Sequence, residues 1–225
     1  MTKNNALVNF SCSTQASESY RILRSNLLSA STKDRPIKSI LVTGSQPKDG
    51  KTTVACNLAI SFAVDGYRVL LVDGDLRRPK IHDIFNIENN SCLSDILEDK
   101  TSIDSKLYKN KLFETLRVLP SGTLSPYPSE LLSSKKMLQS HEYIKNLFDF
   151  IIFDSPSLGK VPDAQIISGF VDGTVLVVSS DKTKIKSFKN ALYLLEMSNA
   201  TLLGTVLNNY GRNSKYYYTR LKTGI

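Results

Sequence analysis

An apolar strand that empties into a glycine-lysine-threonine turn, and from there into a helix, constrains this chain more than any other feature. The stretch is Lys38 to Thr53, KSILVTGSQPKDGKTT. Ser39 to Thr43 is short, β-branched and without polar alternation, as in a central parallel strand covered on both faces. Gly50-Lys51-Thr52-Thr53 then opens a helix that continues through Val54, Leu58, Ile60 and Phe62. Such a helix start offers unpaired backbone N–H groups and a positive dipole end to an anion. Lys51 can reach the outer phosphates of a nucleotide, and the Thr52 hydroxyl can meet Mg²⁺. The usual spacing of this phosphate loop asks for glycine at 45, where the chain has Ser45 and places its glycine at Gly44.

The remaining chain supplies more units of the same kind. Further strands are expected at Tyr67–Val72, Leu116–Leu119, Phe150–Phe153, Thr174–Val178 and Leu202–Leu207. Helices are expected at 93–97, 129–138, 141–147, 163–170 and 183–197. Strands alternating with helices predict an α/β fold: a doubly wound, mostly parallel sheet with helices on both faces. A single domain fits the length of 225 residues. It is framed by a polar arm over 1–16, a helix over about 17–30, and a basic, tyrosine-rich tail over about 209–225, which reads as mobile. Glu18, Arg21 and Arg24 share one side of the first helix, where an intrahelical ion pair is the ordinary reading.

Two more strands end in acid. LLVDGDLRRP places Asp73 and Asp75 in alternate positions after the second strand, and IIFDSPS places Asp154 after the fourth. Carboxyl ends of parallel strands are where open α/β sheets bind ligands. A lone aspartate there is commonly a turn or cap residue, but three such ends beside a phosphate loop fit phosphoryl transfer. That chemistry needs a metal held between phosphates, positive charge on their oxygens and a base near the nucleophile.

Other classes are disfavoured. No run approaches the roughly 18 apolar residues of a membrane span, and the N-terminus lacks the apolar core of a secretion signal, so the chain is expected to stay in the cytoplasm. Cys12, Cys56 and Cys92 are odd in number and far apart, which argues against disulfides or a metal site. His82 and His141 are too separated to form a metal cluster. The formal net charge of +8 suits nucleotide phosphates, nucleic acid or an anionic membrane face, or simply a solvated surface.

The set LVTGSQPKDGKTT, LLVDGDLRRP and IIFDSPS resembles the Walker A, A′ and B motifs of the bacterial tyrosine kinases of capsule and exopolysaccharide synthesis, within the MinD/ParA-like P-loop group. YRILRSNL is similar to that family's EX₂RX₂R helix, SPYPSELL to its proline-containing loop, and the tail to its tyrosine cluster. The resemblance implies ATP and Mg²⁺ as cofactors, with nucleotide contacts over Gln46, Pro47, Lys48, Asp49, Gly50, Lys51, Thr52 and Thr53. It implies metal contacts from Thr52, Asp75 and Asp154, with Asp73 as the first choice for the base and Asp75 as its rival. Tyr210, Tyr216, Tyr217 and Tyr218 become phosphoacceptors between neighbouring subunits, and Glu18, Arg21 and Arg24 a subunit contact in a homo-oligomer. A transmembrane chain-length regulator would activate the protein at the inner face of the membrane, and a cognate phosphotyrosine phosphatase would reverse it. No specific nucleic-acid partner is implied.

Two departures stand out. Lys48 occupies a position where the family usually has glycine, so a positive φ there would be costly. Gly44 replaces a small hydroxyl residue, a milder change. The rivals are a ParA/MinD-type ATPase on DNA or a membrane, and an assembly switch without kinase activity. Gln46 stands where ParA/MinD proteins carry a signature lysine, which weighs against the first.

Overall fold

The computed structural model describes residues 6–90, 92–180 and 182–210. In chain order the elements are α1 (Gln15–Ala30), β1 (Ser39–Gly44), α2 (Lys51–Val64), β2 (Val69–Asp73), α3 (Ile81–Phe85), α4 (Leu93–Leu97), a 3₁₀ turn (Ile103–Lys106), β3 (Tyr108–Lys109) and β4 (Leu116–Leu119). There follow α5 (Pro128–Leu132), α6 (Lys135–Leu147), β5 (Phe150–Asp154), α7 (Asp163–Ser168), β6 (Gly173–Ser179), α8 (Ile185–Met197) and β7 (Leu202–Asn208).

The strands form one seven-stranded sheet in the order β3-β4-β2-β5-β1-β6-β7. Every pairing is parallel except that of the two-residue edge strand β3 with β4. All six expected strands are present; β3 is too short to carry a period. Alternate residues of the central strands feed separate cores. Ile40, Val42, Leu71 and Ile152 pack with α2, while Leu41, Leu70, Val72, Ile151 and Phe153 pack on the opposite face with residues of α4 to α7. Uninterrupted apolar strands are thereby explained, since neither face meets water. Helix α2 is buried from Val54 to Ala63, and its Phe62 stacks on Phe150 of β5 with ring centroids 4.1 Å apart.

Local chemistry moves several boundaries. α1 begins at Gln15, not Ser17, because Thr14 caps it, and Ser17 completes a reciprocal capping box. From Ala6 onward the preceding segment is no free arm. Phe10 is buried, Leu7 and Val8 pack against the same core as α2, and Asn57 of α2 accepts from the Val8 N–H and donates to the Ala6 carbonyl. The helix expected over 129–138 is broken at Ser133 and Ser134. Ser134 caps α6 through the Met137 N–H, so α6 absorbs both the end of that segment and the helix expected at 141–147.

Candidate active site

The order β2-β5-β1 brings the three acidic or phosphate-loop strand ends side by side. Asp73 and Asp154 are register partners across β2 and β5. Gly74 makes the approach possible: its N–H donates to the Asp154 carbonyl at 2.9 Å, and a Cβ there would lie 2.6 Å from that oxygen.

The loop before α2 adopts two left-handed residues, Lys48 at φ 71° and Gly50 at φ 92°. Lys48 thus occupies the conformation that its departure from glycine made costly. Gly50 caps α2 without a side-chain hydrogen bond, so the first-turn N–H groups are left for a ligand. The Asp49 side chain does something else. It is 1% exposed; Oδ2 accepts from the Ser45 hydroxyl and the Gln46 N–H, and Oδ1 from the Thr183 hydroxyl at 2.7 Å. Gln46 turns its amide to the Lys182 carbonyl. Of the expected nucleotide contacts, Asp49 and Gln46 therefore brace the loop through their side chains, and the Gln46 N–H is taken up in the same bracing.

Lys51 Nζ lies 3.4 Å from the Thr52 hydroxyl and 3.9 Å from Asp75 Oδ2. Asp154 is buried behind them, and its Oδ1 has no hydrogen-bond partner among the described residues. Burial pushes the Asp154 carboxyl up to about 6, against the opposing pull of Lys51 and the Thr52 hydroxyl. Asp75 is likewise raised by burial, and Lys51 opposes this most. An orphaned buried carboxylate oxygen beside a threonine hydroxyl is a fitting donor set for Mg²⁺, which takes one or two carboxylates and completes its shell with phosphate and water. Among the described residues no three His, Cys, Asp or Glu side chains form a ready-made metal cage, and Mg²⁺ needs none.

Asp73, the first choice for the base, faces the other way. It is fully buried; its Oδ2 accepts from the Lys80 and Ile81 N–H groups at 3.0 Å and its Oδ1 from the Asp75 N–H at 3.2 Å. Burial and the charge of Asp154 push it up to about 7. The carboxylate fastens the loop after β2 and leaves Asp75 as the acid that meets Lys51. The strand stops at Asp73, so the alternate spacing does not aim both acids the same way.

The AAA domain family matches residues 37–192. The tyrosine-protein kinase YwqD of Bacillus subtilis is 40% identical over 90% of this chain and 85% of its own. The putative tyrosine-protein kinase CapB of Staphylococcus aureus is 37% identical over 90% and 89%. The chain belongs to the bacterial tyrosine kinases. Among solved structures, the chimerical protein CapA2B2 superposes with a TM-score of 0.84 at 37% identity, covering 88% of this kinase and 87% of that chain. The septum site-determining protein MinD of Pyrococcus horikoshii, complexed with Mg-ADP, gives 0.67 at 25% identity over 79% and 72%, which places the kinase on the wider MinD-like fold.

The kinase also holds site residues that its sequence did not announce. Asp163 of α7 is completely buried and takes a two-pronged grip from Arg77, with Nε at 2.8 Å and Nη2 at 3.1 Å, and a further bond from the Ser129 hydroxyl at 2.9 Å. It ties the loop carrying Asp75 to the proline-containing loop. Asn208, at the end of β7, donates from Nδ2 to the Asp49 carbonyl at 2.9 Å and sits against Gly50. An aspartate at a helix start and an asparagine at a strand end are ordinary in sequence, so only the fold reveals them.

Tyr210 is half exposed, two residues beyond Asn208. Tyr216, Tyr217 and Tyr218 lie outside the described residues. On α1, Arg21 pairs with Glu18 and also donates to the Phe10 carbonyl. Arg24 donates to the Ser61 carbonyl and pairs with Asp65 at 3.1 Å, clamping α1 to α2. Within one chain it is thus already engaged.

Proposed function

We propose that this protein uses ATP and Mg²⁺ to phosphorylate tyrosines of its own C-terminal segment, Tyr210, Tyr216, Tyr217 and Tyr218, in trans within a homo-oligomer. The observation that carries the reading is the convergence of Lys51, Thr52, Asp75 and Asp154, with a partnerless Asp154 oxygen, where β1, β2 and β5 end. Thr52 and Asp154 would hold Mg²⁺, which supplies positive charge to the phosphate oxygens. The N–H groups of the Gly50 turn and the Lys51 ammonium bind and orient the phosphates.

The acceptor must lose a proton. A tyrosine hydroxyl ordinarily titrates near ~10, so a carboxylate within reach assists its attack. We assign that proton to Asp75, whose raised affinity suits a base better than an unperturbed carboxylate would. The phenolate oxygen bonds to the γ-phosphorus as the bond to the ADP oxygen breaks. Asp73 serves as a positioning residue.

The same family resemblance supports a role in capsular or extracellular polysaccharide synthesis and export, a transmembrane chain-length regulator as activator at the inner face of the membrane, and a cognate phosphatase. Glu18 and Arg21 are the better candidates for the subunit contact, because their side chains are more exposed than that of Arg24, which is held by α2.

The test is incubation with Mg-ATP, with and without the cytoplasmic end of a candidate activator, followed by mass-spectrometric mapping of phosphotyrosine. Tail phosphorylation that disappears in Lys51→Met is expected. ATP hydrolysis without phosphotyrosine, stimulated by DNA, would overturn the kinase reading.

A further inference from the structure

Helix α8 has two faces with different fates. Phe188, Ala191, Leu192 and Leu195 pack inward with Leu158, Ala164 and Leu176. Ile185, Lys189, Tyr193 and Met197 recur every four residues and form a stripe on the outside. Ile185 is 74% exposed, Tyr193 57% and Met197 63%. Lys186 and Lys189 are exposed on this helix, as are Lys182 and Lys184 just before it. None of the four lysines forms an ion pair among the described residues. From Lys182 to Met197 the single acid is Glu196.

Large apolar side chains exposed in a row mark a surface that meets a partner, and here they stand beside lysines of one sign. The stripe lies on the outside of a helix, whereas peptide ligands are usually held in a groove or along a sheet edge. The surface cavity bordered by Ile96, Lys136 and Tyr143, about 360 Å³, involves none of these residues. A lysine-rich face with isoleucine, tyrosine and methionine along it suits a planar, fluid, anionic surface. Lysine stems can reach lipid phosphates while the apolar tips enter the interfacial layer.

We propose that the outer face of α8 is a docking surface for an anionic lipid bilayer. The kinase would rest on the membrane through this helix, in addition to any protein partner. The contact is not remote from the active site. The segment leading into α8 holds the phosphate loop through the Lys182 carbonyl and the Thr183 hydroxyl, so the docked face and the nucleotide site share a loop.

The experiment is co-sedimentation of the full chain with vesicles of phosphatidylcholine, with and without about one-third phosphatidylglycerol, at low and high salt. Binding confined to the anionic vesicles and weakened by salt is expected. Each lysine near such a surface is worth about a fivefold change in affinity, so Lys186→Glu/Lys189→Glu should lose at least about 30-fold. Ile185→Ser/Met197→Ser should lose binding while keeping the salt dependence. Both variants change exposed side chains and should retain the wild-type melting temperature and basal autophosphorylation. Equal binding by wild type and both variants would overturn the proposal. So would binding that vanishes only when residues 211–225 are removed, because the basic tail would then be the anchor. Failure of the wild type to bind vesicles, with capture of an acidic peptide instead, would also overturn it and point to a protein partner.

Discussion

Replacing Lys48 by glycine should make the protein more stable, an unusual result for removing a side chain from a nucleotide loop. Lys48 sits at φ 71°, where the Cβ of an L-residue crowds the following carbonyl at a cost of about 1–2 kcal/mol. Glycine removes that crowding but brings an entropic penalty of about 0.5–1 kcal/mol from its freer unfolded chain. The net gain is therefore about 0.5–1 kcal/mol, equivalent to a rise in Tm of about 1–4 °C for a domain of this size. The control is Lys48→Ala, which loses the charge but keeps the Cβ and should gain nothing. Thermal melts of the nucleotide-free proteins separate the two. In ATP titrations both variants should weaken equally, by up to about fivefold, if the exposed ammonium contributes as one surface charge on a phosphate. A Tm for Lys48→Ala as high as that of Lys48→Gly would refute the strain argument, since charge and not backbone geometry would then be what matters at this position.

Asp154→Asn should raise the melting temperature of the nucleotide-free protein, because it removes a buried carboxylate with an unpartnered oxygen, while tail phosphorylation is lost; a fall in Tm in the same assay would contradict this. Asp163→Asn keeps the shape but weakens the Arg77 and Ser129 bonds, and should cost about 1–3 kcal/mol in denaturant unfolding. His141 is buried with an unpartnered Nε2, and burial, reinforced by the charge of Lys145, holds it down at about 4. Between that value and its ordinary ~6.5 the unfolded chain binds a proton that the folded chain does not, so this contribution to stability is complete above ~6.5 and is lost as pH falls toward 4. His141→Gln should flatten that part of the Tm-against-pH curve, and an unchanged slope would remove His141 as its source.

Much of this architecture was legible because two-sided burial writes itself into sequence. The runs Val69–Val72 and Phe150–Phe153 are apolar throughout and buried residue by residue. Short elements carried no such signature. β3 has two residues, and α3 has five with only Ile81 buried, fewer than either period needs to show itself. The split between α5 and α6 was available in principle. Ser133-Ser134 ends one apolar run and Ser134 caps the next, but serines within a helical pattern read equally well as exposed positions until the Met137 N–H is seen to be taken.

Asp73, Gly74 and Asp75 show why a motif identifies a site more easily than it assigns roles within it. Read as a strand, alternate aspartates point to one side and look equivalent. The strand cannot continue, however, because Gly74 must press against the Asp154 carbonyl, with 2.6 Å left for any Cβ, and its N–H binds that oxygen. The chain turns there, and the turn sends Asp73 toward the N–H groups of Lys80 and Ile81 while Asp75 swings to Lys51. One carboxylate becomes a fastener and the other is available for chemistry. The division follows from a contact between residues 80 positions apart, so no reading of the local pattern could have supplied it. The consequence is measurable: Asp73→Asn should lower thermal stability because an amide is a poorer acceptor for those backbone donors. Asp75→Asn should leave stability nearly intact and abolish phosphotyrosine formation. The reverse pattern would return the base to Asp73.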